Sequence, residues 1–134
     1  MEHEETMRIG EVADQTSLSF RTLRHYEDVG LVIPTGRTDG GFRLYTPKDV
    51  GRLMIVRRMK PLGYTLDEMR AVLDVVDALA DEPDSEDLQE RLSALRQEAT
   101  ARRERLANQV GMADEFLAQL AQFSATESPP RPAR

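Results

Sequence analysis

Residues 19 to 32 read SFRTLRHYEDVGLV, and the order of residue types in this stretch decides the fold. Ser19 is a hydroxyl N-cap, and Phe20, Leu23, Tyr26 and Leu31 continue an apolar side at helical intervals. Gly30 suits the left-handed position just past a helix end, and Pro34 forbids helical continuation through Ile33. The stretch therefore predicts a helix that stops near Gly30. It also carries Arg21, Arg24 and His25, a basic and aromatic segment in a 134-residue chain whose formal net charge is −6.

Upstream, MRIGEVADQT from Met7 places Ile9, Val12 and Ala13 at helical spacing, with Thr6 a candidate N-cap, before the small hydroxyl residues of TSLS interrupt. Downstream, VIPTGRTDGGFRLY, Val32 to Tyr45, sets β-formers on either side of a Gly-containing turn and predicts a β-hairpin. Thr46, Pro47 and Asp49 supply a cap, a first-turn proline and an N-terminal acid for a helix through KDVGRLMIVRRM that Pro61 ends. Thr65 and Glu68 form a capping box for a further helix, with Leu66, Met69, Val72, Leu73 and Val76 on one side and an end near Ala80.

DEPDSED then breaks the chain, and Asp84 or Ser85 caps a long helix. Leu92, Ala99, Leu106, Ala113 and Leu120 repeat every seven residues, and Leu88, Leu95, Arg102, Gln109, Phe116 and Phe123 form a second seam. From Ser85 to Gln122 a continuous helix would span roughly 57 Å, too long to bury its stripe against a domain of about eighty residues. A second copy of the chain is the simplest partner. Arg102 and Gln109 are unusual in a dry seam and can fix register. The expected division is a winged helix-turn-helix DNA-binding domain over 6–80, a coiled-coil dimerisation helix over 84–123 and a disordered tail over 124–134. MEHEET is expected to be disordered or to lead into the first element. The fold class is mostly α.

Composition narrows the chemistry. Cysteine is absent, which excludes disulfides, iron–sulfur clusters and thiolate zinc sites. No signal-like start and no run of eighteen apolar residues occurs, so the expectation is a soluble, cytoplasmic protein with no membrane partner. Charge is unevenly spread: residues 6–64 carry 10 basic against 6 acidic side chains, whereas residues 65–134 carry 8 against 15. A basic N-terminal half on an acidic C-terminal half is the asymmetry of a nucleic-acid-binding head on a solvated stalk.

Helix, short turn, helix and hairpin make the winged form of the helix-turn-helix, whose second helix enters the DNA major groove by its N-terminal end. Arg21 and Arg24 offer planar forks for guanine edges or phosphates, and Ser19, Thr22, His25 and Tyr26 offer shorter hydrogen bonds. Leu23 should face inward. Arg37, Arg43 and Tyr45 on the hairpin can grip the flanking backbone, and Lys60 can do so from the next turn. Packing is the commoner role for Tyr26, and Phe42 is expected in the core. Arg57 and Arg58 suit a solvated helix end.

The span MRIGEVADQTSLSFRTLRHYEDVGLVIPTGRTDGGFRLYTPKDVGRLMIVRRMKPLGYTLDEM resembles the DNA-binding domain of the MerR family of bacterial transcription regulators. Its parts arrive in family order: IGEVA, RTLRHYEDVGL, GFRLY, DVGRL and LGYTLDEM. The resemblance implies a homodimer joined by an antiparallel coiled coil, with Leu88, Leu92, Leu95, Leu106, Phe116 and Leu120 at the dimer contact. It implies binding to a pseudo-palindromic promoter element, with DNA bent and untwisted between the hexamers that RNA polymerase recognises. His25 stands where the family commonly has tyrosine, and Pro61 sits in the second wing.

The thiolates through which family members sense mercury, copper, zinc or oxidants are missing here. DEPDSED offers carboxylates, but with only His3 and His25 beside them it reads as a capped linker, so no metal and no cofactor are expected. No large C-terminal drug-binding domain is expected either. A small-molecule effector would have to use a small pocket built from Val75, Leu79, Met112, Phe116 and Phe123, although packing is the commoner use of such residues. No nucleophile has a base and orienter in motif, so an enzyme is not expected. Two rivals stay open: an architectural DNA-binding protein of the recombination-directionality type, and a coiled-coil interaction protein that does not bind DNA.

Overall fold

The computed structural model describes residues 5–125, so the expectations for MEHEET and for the tail fall largely outside the described residues. The elements in chain order are β1 (Met7–Arg8), α1 (Ile9–Thr16), α2 (Phe20–Asp28), β2 (Gly36–Arg37), β3 (Arg43–Tyr45), α3 (Pro47–Met59), a 3-10 turn (Lys60–Leu62), α4 (Leu66–Asp81) and α5 (Glu86–Ala121). The mostly helical class with a small sheet agrees with the sequence. The chain divides into two compact units, Met1–Leu95 and Arg96–Arg134, with the boundary inside α5.

Polar side chains at the helix starts fix the first unit locally. Ser19 accepts a hydrogen bond from the Thr22 backbone N–H, Thr46 from Asp49 and Thr65 from Glu68, each 3.1 Å long. Each satisfies a donor that the helix itself cannot. Between α1 and α2 the chain turns through Ser17 at φ 59°. The hydroxyl of the buried Thr16 closes this turn, donating to the Val12 carbonyl at 2.7 Å and accepting from Leu18 N–H at 3.3 Å. Gly30 at φ 73° ends α2, where a side chain would be strained.

The first helix begins later than the sequence predicts. Thr6 does not cap it; Arg8 does, and its backbone N–H donates to Glu11 Oε1 at 3.4 Å. Met7 and Arg8 are instead an edge strand. Met7 stands opposite Tyr45 and Arg8 opposite Leu44, while on the other side of β3 Gly36 faces Leu44 and Arg37 faces Arg43. The expected hairpin is thus a three-stranded antiparallel sheet in the order β1-β3-β2.

One core joins these parts. Val12, Leu23, Leu31, Val32, Tyr45, Leu53, Val56 and Leu73 are buried together, with Tyr26, Met59 and Met69 at the margin. Asp49 is buried among them and gathers three donors on Oδ2: Thr35 N–H at 3.0 Å, Thr35 Oγ1–H at 2.7 Å and Thr46 N–H at 3.0 Å. This carboxylate ties the segment after α2 to the start of α3. Also in the first unit, a groove of about 610 Å³ runs between α4 and the start of α5, lined by Ala71, Val75, Ala78, Leu88 and Leu95 with Asp74 and Arg91 among its walls.

The second unit is helical through Ala121, and no residue of α5 is buried. Glu98 takes Arg102 at 2.9 Å and, more distantly, Arg105 along the same helix. Leu106, Val110, Met112, Phe116, Leu117, Leu120 and Phe123 are all exposed.

Candidate nucleic-acid interface

Capping by Ser19 leaves the first two turns of α2 with a solvent face made of Phe20, Arg21, Arg24 and His25. Leu23 and Tyr26, three residues apart, occupy the opposite side and are 1% and 3% exposed. The helix is therefore held by one face and open on the other. Thr22 is half-buried, and its hydroxyl accepts a 3.0 Å hydrogen bond from Ser19 Oγ.

Two aromatic residues depart from the sequence expectation. Phe20 does not join the core; it is 45% exposed, and the Arg24 guanidinium lies 5.9 Å from its ring centre. Phe42 does not join the core either. It precedes β3 and projects at 60% exposure, with the Arg8 guanidinium 5.1 Å from its ring centre. A cation near an aromatic face at this separation is electrostatically favoured and preorganises the guanidinium. The i, i+4 spacing of Phe20 and Arg24 was a readable signal; the pairing of Arg8 with Phe42 depends on the sheet.

Tyr45 requires the opposite correction. Placed in the sequence among the groups that grip DNA, it is fully buried in this chain, because β3 is the central strand and Tyr45 points to the side covered by helices. Its hydroxyl finds no partner among the described residues. Burial pushes the Tyr45 phenol up from its ordinary value, reinforced by the Glu27 charge, and burial raises Tyr26 as well. Tyr26 and Tyr45 are thus withdrawn from the solvent face.

Glu27 links helix to wing. Its Oε1 accepts from Arg43 Nε and its Oε2 from Arg37 Nη2, so both wing arginines named in the sequence converge on one carboxylate of α2. The hydrogen bond from Arg43 is the main cause holding the Glu27 carboxyl below its ordinary range. Sequence alone did not single out Glu27. Lys60, exposed at the end of α3, sits in a different turn, where its carbonyl accepts from Gly63 N–H at 3.0 Å.

Of the residues assigned to a dimer contact, Leu88, Leu92 and Leu95 are half-buried within the first unit. Leu106, Phe116 and Leu120 are exposed in the second. Among the described residues no group of three or more His, Asp or Glu side chains is placed to hold a metal ion, and no helix is long and apolar enough to cross a membrane.

The model of the MerR HTH family regulatory protein matches residues 7–75, and the MerR DNA-binding model matches residues 50–110. The mercuric resistance operon regulatory protein of Bacillus cereus is 44% identical over 70 residues, covering 52% of this chain and 53% of that protein. The chain spans about half the length of that relative, and about a third of the nodulation protein NolA of Bradyrhizobium elkanii, to which it is 42% identical over 74 residues. Among solved structures, HiNmlR, a MerR family regulator lacking the sensor domain and bound to promoter DNA, superposes with a TM-score of 0.68 at 25% identity, covering 89% of this chain and 90% of that one.

Proposed function

This chain belongs to the MerR HTH family of regulatory proteins, and from that premise we propose that it is a DNA-binding transcription regulator. It grips a pseudo-palindromic promoter element as a homodimer and distorts the DNA between two half-sites. The observation that carries this reading is the capped N-terminal half of α2, with Arg21, Arg24 and His25 exposed while Leu23 and Tyr26 anchor the other face. A helix presented this way offers guanidinium forks to base edges and phosphates, with a positive pole toward the anion. Arg37 on the wing and Lys60 beyond α3 bear on the flanking backbone, which sets register without reading sequence.

Dimerisation runs through antiparallel pairing of α5, with Leu88, Leu92, Leu95, Leu106, Phe116 and Leu120 in the contact. The exposure of Leu106, Phe116 and Leu120 supports this, because an apolar stripe on a long helix is stabilised by a partner helix. RNA polymerase then meets a promoter whose two hexamers the dimer has rotated relative to one another. The role is one of binding, exercised on DNA in the cytoplasm, with no chemical step.

Footprinting on DNA from the region upstream of its own gene, across a salt series, tests the reading. One two-fold protected site with distorted DNA at its centre is expected. Extended protection without a centre would point to an architectural DNA-binding protein, and no salt-sensitive protection would overturn DNA binding. Arg24→Ala is expected to weaken binding to that site by about 1–3 kcal/mol, with a smaller loss on random DNA.

A further inference from the structure

The strand register creates an electrostatic problem within the wing. Arg37 stands directly opposite Arg43 across the β2–β3 pair, and like charges in that position destabilise a sheet. Glu27 resolves it from another element, giving one carboxylate oxygen to each arginine. The three side chains are unequally exposed: Glu27 is 15%, Arg43 29% and Arg37 45% exposed. Arg43 binds through Nε, close to its stem, which fixes the whole side chain. Arg37 binds through a terminal nitrogen, and its other terminal nitrogen makes only a 3.4 Å contact with the Gly41 carbonyl.

We propose that Glu27 is a positioning residue that gives the two wing arginines different tasks: Arg43 as a fixed strut between wing and recognition helix, and Arg37 as an exchangeable arm that passes to a DNA phosphate. The inference rests on the DNA-binding reading above. A phosphate offers the outer guanidinium a bidentate acceptor at least as good as the carboxylate it leaves. The inner pair, less exposed to water and salt, persists. Off DNA, Glu27 offsets part of the wing's positive charge, so the wing attracts random DNA less than two free arginines would. On a correct site, with α2 seated in the groove, the strut sets the wing where Arg37 can exchange partners. Glu27 thereby contributes to discrimination between sites without touching DNA.

The test measures affinity against salt on two duplexes of equal length and composition, one selected from a random pool by the wild-type protein and one a shuffled version of it. Arg37→Ala is expected to make the salt slope shallower by about one on the selected duplex, the signature of one lost phosphate contact, and to change it less on the shuffled one. Arg43→Ala is expected to leave the slope unchanged while weakening the selected duplex more than the shuffled one. Glu27→Gln, which keeps the shape and removes the charge, is expected to tighten the shuffled duplex and narrow the ratio between the two by about fivefold, equivalent to a modest coupling. Equal slope changes in Arg37→Ala and Arg43→Ala, or an unchanged ratio in Glu27→Gln, would overturn the division of roles. Should Arg43→Ala fail to fold by circular dichroism, Glu27→Gln and the exposed Arg37→Ala still decide. Wild-type protein that selects no duplex would overturn the DNA-binding reading itself, which separates that failure from failure of the Glu27 assignment.

Discussion

Arg70 Nη2 donates a 2.7 Å hydrogen bond to the carbonyl oxygen of Val29, joining α4 to the C-cap of α2 across 41 positions of sequence. The last carbonyls of a helix have no partner within it, and a guanidinium there also meets the negative end of the helix dipole. Asp67 steadies the same guanidinium through Nη1 at 3.2 Å. The far end of the helix that presents Arg21 and Arg24 is therefore anchored from α4.

Arg70→Ala is expected to lower stability by about 1 kcal/mol, a charged hydrogen bond discounted for partial exposure. The shift of the urea midpoint measures it. Arg70→Lys is expected to recover less than half of the loss, because one ammonium cannot span Asp67 and Val29 as a planar fork does. Full recovery by lysine would show that charge alone matters at this helix end.

Asp49 should be the most costly polar side chain to remove from the first unit. Asp49→Ala strands the Thr46 N–H in a buried site and removes the acceptor from the more exposed Thr35, and the expected loss is about 2 kcal/mol, from one unsatisfied buried donor and a lost hydrogen bond to a charged group. Denaturant unfolding with an unchanged slope would measure it. A loss near that of an exposed substitution, under about 0.5 kcal/mol, would mean that the segment after α2 is held by other contacts.

Tyr45→Phe deletes a buried hydroxyl that has no partner among the described residues, so it should leave stability within about 0.5 kcal/mol of wild type or raise it. It should also leave DNA affinity unchanged. Because burial holds the phenol above its ordinary value of 10.0, its contribution is complete below that pH and is lost as pH rises through the folded value. Unfolding followed from pH 9 upward should therefore show a weaker alkaline loss in Tyr45→Phe than in wild type. Weakened DNA binding in that variant would restore the role first expected for this hydroxyl.

Glu27 makes the complementary prediction in acid. Its carboxyl is held below its ordinary value of 4.5, first by the hydrogen bond from Arg43, so its stabilising effect is present above 4.5 and is lost as pH falls through the lower folded value. Urea midpoints compared at neutral pH and below pH 4 should converge between wild type and Glu27→Gln. A difference that persists undiminished in acid would mean that the Arg37 and Arg43 contacts do not depend on the Glu27 charge.

Short-range chemistry was readable from the chain. Ser19, Thr46 and Thr65 start the helices that their residue types suggest, Gly30 ends α2, and Leu23 faces inward. Readings that depended on distant partners went astray. Met7 and Arg8 carry a helical pattern locally, yet they pair with Tyr45 and Leu44. Phe20 and Phe42 look like core residues by type, and Tyr45 looks like a surface group by its hydroxyl; each is decided by which side of a helix or sheet is covered. The convergence of Arg37 and Arg43 on Glu27 could not be read at all, since it exists only once the wing has folded against α2.

The pairing of Met7 with Tyr45 also bears on the order in which the first unit assembles. α1 packs against its sequence neighbour α2 and equally against α3, while β1 pairs with β3, so the first strand and the first helix both close loops of nearly forty residues. Lengthening a loop raises the entropic cost of closure only slowly, but that cost falls due before the contacts form. The first strand and the first helix therefore share one long closure, and whatever docks α1 on α3 also brings β1 beside β3. The helical core and the sheet are thus one closure, and Arg8, with the Phe42 ring it covers, takes its place only when that seam closes.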